Sequence, residues 1–240
     1  MKFSKIVQAE SFPQTIHWQL RDTFALLMIP LIFINSWLAA KLFVDPVNIA
    51  FADSFFRGIL FLAICFIYKS MLVEHWQYFN KAKFKSWALV IVGAILLQVI
   101  ISLVKSVLPI QPSTEEKEGV DPASIAFFTV LFISLGPLFT ALIEDIVFRY
   151  TLLQKLFIPV IWIRILVVAL NSIIFGLIHY NNFDGNILAT TSFMVAGLFL
   201  NLIYIWTKNI WHVLLIHFVN NAVLSLGGII LLKIVTTLSA

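Results

Sequence analysis

Three short stretches of this chain carry ionisable or strongly polar side chains inside otherwise apolar sequence. They are Ile143-Glu144-Asp145-Ile146-Val147-Phe148-Arg149, Phe175-Gly176-Leu177-Ile178-His179 and His217-Phe218-Val219-Asn220-Asn221. On a helix, Asp145 and Arg149 stand four apart on one face, which suits an ion pair with the acid toward the N-terminus. Glu144 lies about 100° around from Asp145 and is left without that partner. An unpaired carboxyl in a low-dielectric site suits a general base working near neutral pH. His217 and Asn221 are also four apart, so two side-chain donors address one spot, the arrangement an oxyanion needs. The same residue types inside a membrane also serve as interhelical hydrogen-bond partners or as proton and ion relays.

The elements that must position these residues follow from composition. Of 240 residues, 61% are hydrophobic and 12% charged, and the mean hydropathy is +0.99. A soluble domain is about one-quarter charged, so too few charges remain to cover a water-facing surface. The expected solvent is lipid, where every backbone amide needs an internal partner and spans are helices or closed barrels. Continuous apolar runs of about 20 residues select helices.

The runs fall near 24–44, 51–73 and 87–107, then 123–157, 162–180, 187–206 and 210–237, the last long enough to break into two at Gly227-Gly228. The expected fold is an all-α integral membrane protein of about seven or eight transmembrane helices enclosing a polar intramembrane cavity. Residues 1–122 form a cytoplasmic segment and the first three spans, and 123–240 a helical core, in one membrane domain.

Lys2, Lys5 and Arg21, then Lys81, Lys83 and Lys85, Lys155 and Lys208 alternate along the chain with Asp45 and Asp53 and with an acidic loop (Glu115, Glu116, Glu118, Asp121). The positive-inside rule therefore puts the N-terminus in the cytoplasm. The formal charge of +4 reflects basic loops and not nucleic-acid binding. The first 23 residues lack a signal-peptide core. They could form an amphipathic interfacial helix with Phe3, Ile6 and Trp18 in lipid. Lys41, Arg57, Lys69 and Lys105 read as span-end residues that snorkel. His17, His75 and His212 read as solvated or interfacial, Asn181 and Asn182 as loop residues, and Asp184-Gly185 as a turn. The single cysteine, Cys65, excludes a disulfide within the chain and a cysteine-based metal cluster.

Depth is compatible with convergence. At 1.5 Å per residue, Glu144 and His179 lie roughly 20 and 25 Å from the basic turn between their spans, and His217 and Asn221 roughly 13 and 20 Å from the Lys208 turn.

At these stretches the sequence resembles the CAAX protease and bacteriocin-processing family of intramembrane endopeptidases, often called the Abi family. That family is marked by Glu-Glu-x-x-x-Arg, Phe-x-x-x-His and His-x-x-x-Asn or Asp. Here they stand as Glu144-Asp145-x-x-x-Arg149, Phe175-x-x-x-His179 and His217-x-x-x-Asn221, with Asp145 in place of the second Glu. The resemblance covers roughly residues 123–225. It implies that Glu144, assisted by His179, activates water, that His217 and Asn221 steady the oxyanion, and that Asp145 and Arg149 support the site. The implied partners are the lipid bilayer and a membrane-associated peptide or protein substrate, in a bacterial cell membrane. Family members are often labelled metalloproteases, and Glu144, His179 and His217 could ligate zinc with an open position. A metal-free site is favoured, because every side chain has a role without one. A non-enzymatic bacteriocin-immunity or scaffold protein is the competing reading. A small proton-coupled carrier is the third, and it would need a continuous polar path on both sides of Glu144.

Overall fold

A computed structural model describes residues 2–108, 125–183 and 185–238. The acidic loop, the 122/123 boundary and Asp184 lie outside them. Among the described residues the chain is helical, with no strand: α1 (Phe3–Val7), α2 (Leu20–Leu42), α3 (Pro46–Ile67), α4 (Lys69–Asn80), α5 (Lys83–Val107), α6 (Phe127–Leu156), α7 (Ile161–Leu177), a 3₁₀ turn at Tyr180–Phe183, α8 (Ile187–Thr207) and α9 (Ile210–Leu238). Six of these, α2, α3, α5, α6, α8 and α9, are long and apolar enough to cross a membrane, and α7 is a shorter apolar helix. The final block is one helix, unbroken at Gly227 and Gly228.

Local signals start the helices where the sequence allows. Asp45 caps α3 by accepting from Asn48 N–H at 2.9 Å, with Pro46 just inside. Asn186 caps α8 by accepting from Leu188 and Ala189 N–H. Asp22 closes back on the Gln19 N–H at the start of α2.

Burial separates centre from rim. In its most apolar window α6 is 56% buried and α8 44%, against 17% for α3 and 22% for α5. The site-bearing helix α6 therefore runs through the middle, and the exposed leucines and phenylalanines of α2, α3 and α5 face outward. Close approaches in the centre depend on glycine. A Cβ on Gly176 of α7 would collide with Met194 Cγ of α8 and stand 2.9 Å from the Thr190 carbonyl oxygen. One on Gly197 of α8 would stand 2.8 Å from the Phe175 ring.

Helix α6 is interrupted twice. Pro137 cannot donate to the Ile133 carbonyl one turn earlier, and Ser54 Oγ of α3 donates to that carbonyl at 2.9 Å instead. Gly136 makes room for this, since a Cβ there would lie 2.6 Å from Ser54 Oγ. Further on, Ile146–Leu153 widens into a π-helix directly after Asp145, a deviation frequent at functional sites. Within it, the Phe148 carbonyl accepts from Asn171 of α7 at 2.7 Å.

The ends of α6 and α8 meet the start of the chain, where Lys155 Nζ stands 3.5 Å from Asp22 Oδ2 and the Lys208 carbonyl accepts from the Ala9 N–H. There the N-terminal segment is docked on protein and does not lie as one helix on lipid. Asn209 Nδ2 donates to the Val7 and His75 carbonyls, Ala9 N–H to Lys208, and Gln154 to Ser11. The Phe3 ring lies 5.6 Å from that of Trp206 at a tilt and 5.8 Å from that of His212 edge-on. Trp18 stays 40% exposed. This docking also buries His75 and His212, which sequence position alone assigned to interface or solvent. His75 Nδ1 accepts from the Ile210 N–H and its Nε2 meets Glu10 at 2.9 Å.

Candidate active site

Four of the six residues singled out in the sequence form two facing pairs. Glu144 on α6 and His179 just beyond α7 approach to 3.9 Å between Oε1 and Nε2. Asp145 Oδ2 and His217 Nδ1 of α9 stand 3.3 Å apart. Arg149 completes the second group, with Nη1 3.0 Å from Asp145 Oδ1 and neither side chain exposed. That contact is close but poorly aligned, so it acts as an ion pair and not as a directed hydrogen bond. Arg149 Nη2 also reaches the Gly197 carbonyl at 3.4 Å.

Phe175 explains the spacing of the second motif. Its carbonyl takes the His179 Nδ1 contact at 2.8 Å. Its ring lies 4.1 Å from the Arg149 guanidinium carbon, a cation–π contact in a water-poor setting. The same ring touches His179 and His217 at centroid distances of 5.3 and 6.0 Å. On its other side His179 stacks on Phe193 of α8 at 4.3 Å. One phenylalanine thus sets both imidazoles and the arginine, at the point where Gly197 lets α8 come close.

A carbonyl can only accept, so His179 Nδ1 carries the proton and Nε2 presents its lone pair toward Glu144 when the ring is neutral. By the same rule His217 Nδ1 donates to the Asp145 carboxylate, and its Nε2 becomes a donor only when the ring carries both protons. Asn221 Oδ1 accepts from Asn220 Nδ2 at 3.2 Å, which leaves the Asn221 amide nitrogen as a donor.

Glu144, His179 and Asn221 line a cavity of about 770 Å³ that extends to the turn bearing Asn181 and Asn182. His217 is buried and is not among the lining residues. The same cavity reaches a polar cluster that the sequence reading missed. Asp53 and Arg57, assigned to a loop and to a snorkelling span end, both lie inside α3 and pair at 2.7 Å. Only the periodicity of α3 could have placed them, and only the packing of α2 and α6 turns them inward. A second, shallower and more open apolar groove of about 650 Å³ lies between α7 and α8, lined by Ile161, Ile165, Val168 and Leu198. It carries none of the candidate chemistry.

Among the described residues no three His, Cys, Asp or Glu side chains converge to hold a metal ion.

Residues 125–223 match the Rce1-like family, type II CAAX prenyl endopeptidase Rce1-like. That segment holds Glu144, Asp145, Arg149, His179, His217 and Asn221, and excludes Asp53 and Arg57. Neither a curated protein nor a solved structure matches the chain. The Rce1-like match and the apolar helices support an integral membrane protein, with a segment similar to a family of endopeptidases.

Proposed function

We propose that this protein is an intramembrane endopeptidase that hydrolyses a peptide bond in a membrane-associated peptide or protein. The observation that carries this reading is the buried Glu144–His179 pair, 3.9 Å apart on the wall of a cavity large enough for a peptide segment. That separation is too long for a direct hydrogen bond, yet a single water can contact both atoms. Both atoms are acceptors, so the water donates one hydrogen to each and turns a lone pair toward the substrate carbonyl.

Attack forms the new C–O bond while Glu144 takes the water proton. The carbonyl oxygen becomes an oxyanion and finds a donor at Asn221 Nδ2 on the cavity wall, while His217, one turn away behind that wall, supports it through its charge when doubly protonated. Collapse breaks the C–N bond, and Glu144 returns its proton to the leaving nitrogen, giving an acid and an amine. Asp145 and Arg149 act through their neighbours, Asp145 by fixing His217 Nδ1 and Arg149 by neutralising Asp145. Each step is carried by a side chain of this chain. The basic residues of the N-terminal face support a cytoplasmic orientation for it.

The test compares peptides released from native membranes by the wild-type protein and by Glu144→Gln, at matched abundance. Fragments present only with the wild type are expected, and they would identify the substrate and bond together. Identical peptide profiles would remove the enzymatic reading and return the site to a binding or immunity role, which no feature of the geometry favours.

A further inference from the structure

The cavity that ends at Glu144 passes a second charged group, and its partners are laid out asymmetrically. Asp53 takes three hydrogen bonds: Oδ1 accepts from Asn35 Nδ2 at 3.0 Å and from Ser36 Oγ at 2.8 Å, and Oδ2 accepts from Arg57 Nε at 2.7 Å. Arg57 has donors left over. Its Nη2 donates to Ser36 Oγ at 2.9 Å and its Nη1 to Thr140 Oγ1 at 2.6 Å. A guanidinium has five N–H groups, so two of them have no acceptor among the described residues. Arg57 is 19% exposed and lines the cavity. Both members line the cavity, the acid tied to α2 through Asn35 and Ser36 and the cation reaching across to α6 with two N–H groups to spare.

The position of those donors relative to the proposed chemistry is fixed by α6. Thr140 and Glu144 both line the cavity and are one helical turn apart, about 6 Å along the axis. An extended peptide advances about 3.3 Å per residue, so a group held at Arg57 lies about two residues from a bond positioned at Glu144. A second cation adds to the field here. Lys105 Nζ stands 5.8 Å from the ring of Phe193, which lines the cavity and stacks on His179.

We propose that Arg57, supported by Thr140 and Ser36, is a substrate-binding residue that takes a carboxylate about two residues from the bond cleaved beside Glu144. The carboxylate is either an acidic side chain or the end of the substrate chain, and a guanidinium with two open N–H groups receives both in the same way. The inference rests on the peptidase reading; Arg57 and Ser36 lie outside the Rce1-like segment and Thr140 within it.

Binding is measured on the full-length Glu144→Gln protein in lipid nanodiscs, where no turnover interferes. Three fluorescent hydrophobic hexapeptides of one sequence serve as probes: the free acid, the C-terminal amide, and the amide with glutamate as its penultimate residue. At least one carboxylate-bearing peptide is expected to bind about ten- to a hundredfold more tightly than the plain amide, the range for a charge-assisted hydrogen bond. A gain by the free acid alone assigns the chain end, and a gain by the glutamate peptide assigns a side chain. In Asp53→Asn/Arg57→Gln on the same background, which removes both charges and strands neither, the ratio to the amide falls to near one. Arg57→Lys, which keeps the charge and loses the fork, retains only part of the preference. Equal binding of all three peptides by the parent, or a preference that survives the double substitution, overturns the proposal. If the preference is present but the Glu144-intact protein cleaves none of the peptides and releases none from membranes, the peptidase reading fails and the carboxylate site stands.

Discussion

Replacing Asp145 with asparagine leaves a guanidinium in the protein interior without its direct ion-pair partner. Arg149 and Asp145 are both fully buried, and their closest atoms are 3.0 Å apart. In Asp145→Asn, Arg149 keeps its long contact to the Gly197 carbonyl, the Phe175 and Phe148 rings and a more distant attraction to Glu144. Those contacts exist in the wild type as well and offset nothing. Breaking a buried pair by removing one partner costs about 3–5 kcal/mol, a large part of the roughly 5–15 kcal/mol that holds a typical domain together. Replacing both members by apolar residues of similar volume is commonly neutral or better, so Asp145→Leu/Arg149→Met should return to within about 1–2 kcal/mol of wild type. It should not return activity, because His217 Nδ1 has then lost its acceptor and its orientation. The assay is unfolding in mixed micelles with increasing dodecyl sulfate, followed by tryptophan fluorescence, beside peptide release from membranes. Wild-type stability in Asp145→Asn would refute the role of the pair. Peptide release by the double variant would refute the role of Asp145 in holding His217.

Three further outcomes follow from the same geometry. Asn221→Ala removes one oxyanion donor and should lower the cleavage rate by about 10²–10³ with stability little changed, read from initial rates at matched abundance; a loss below tenfold would take Asn221 out of the mechanism. Gly176→Ala forces a methyl into Met194 and the Thr190 carbonyl and should cost about 1–3 kcal/mol, and unchanged unfolding would show that α7 and α8 can part without penalty. Asn209→Ala strands the Val7 and His75 carbonyls and should cost about 2–4 kcal/mol. It should also speed proteolysis within residues 2–12 in oriented vesicles, whereas an unchanged cleavage rate would mean that the docked segment is held elsewhere.

Much of this was legible in the residues. Lipid as the solvent and helices as the spans follow from composition and from the obligatory pairing of backbone amides in an apolar medium. The i, i+4 pair Asp145–Arg149 follows from helix period alone, and it is present. The three motifs also announced which polar residues belong together, because unpaired polar groups in lipid are costly enough to be rare.

What the period of one helix could not supply was direction across helices. Asp53 and Arg57 looked like residues of a polar turn, since loop and span differ there by a single helical turn. Their role depends on Ser36 and Thr140 from α2 and α6. His75 and His212 looked interfacial because sequence position measures depth along a helix and not whether another segment covers it. The N-terminal segment covers them with hydrogen bonds between residues as far apart as Val7 and Asn209. The division between Asn221 on the cavity wall and His217 behind it is of the same kind. Two side chains four apart share a face, but only the neighbours packed on that face decide which of them meets the cavity. Local periodicity therefore determined which groups could act, and the long-range packing of α6 against α3, α7, α8 and α9 decided which atoms face one another.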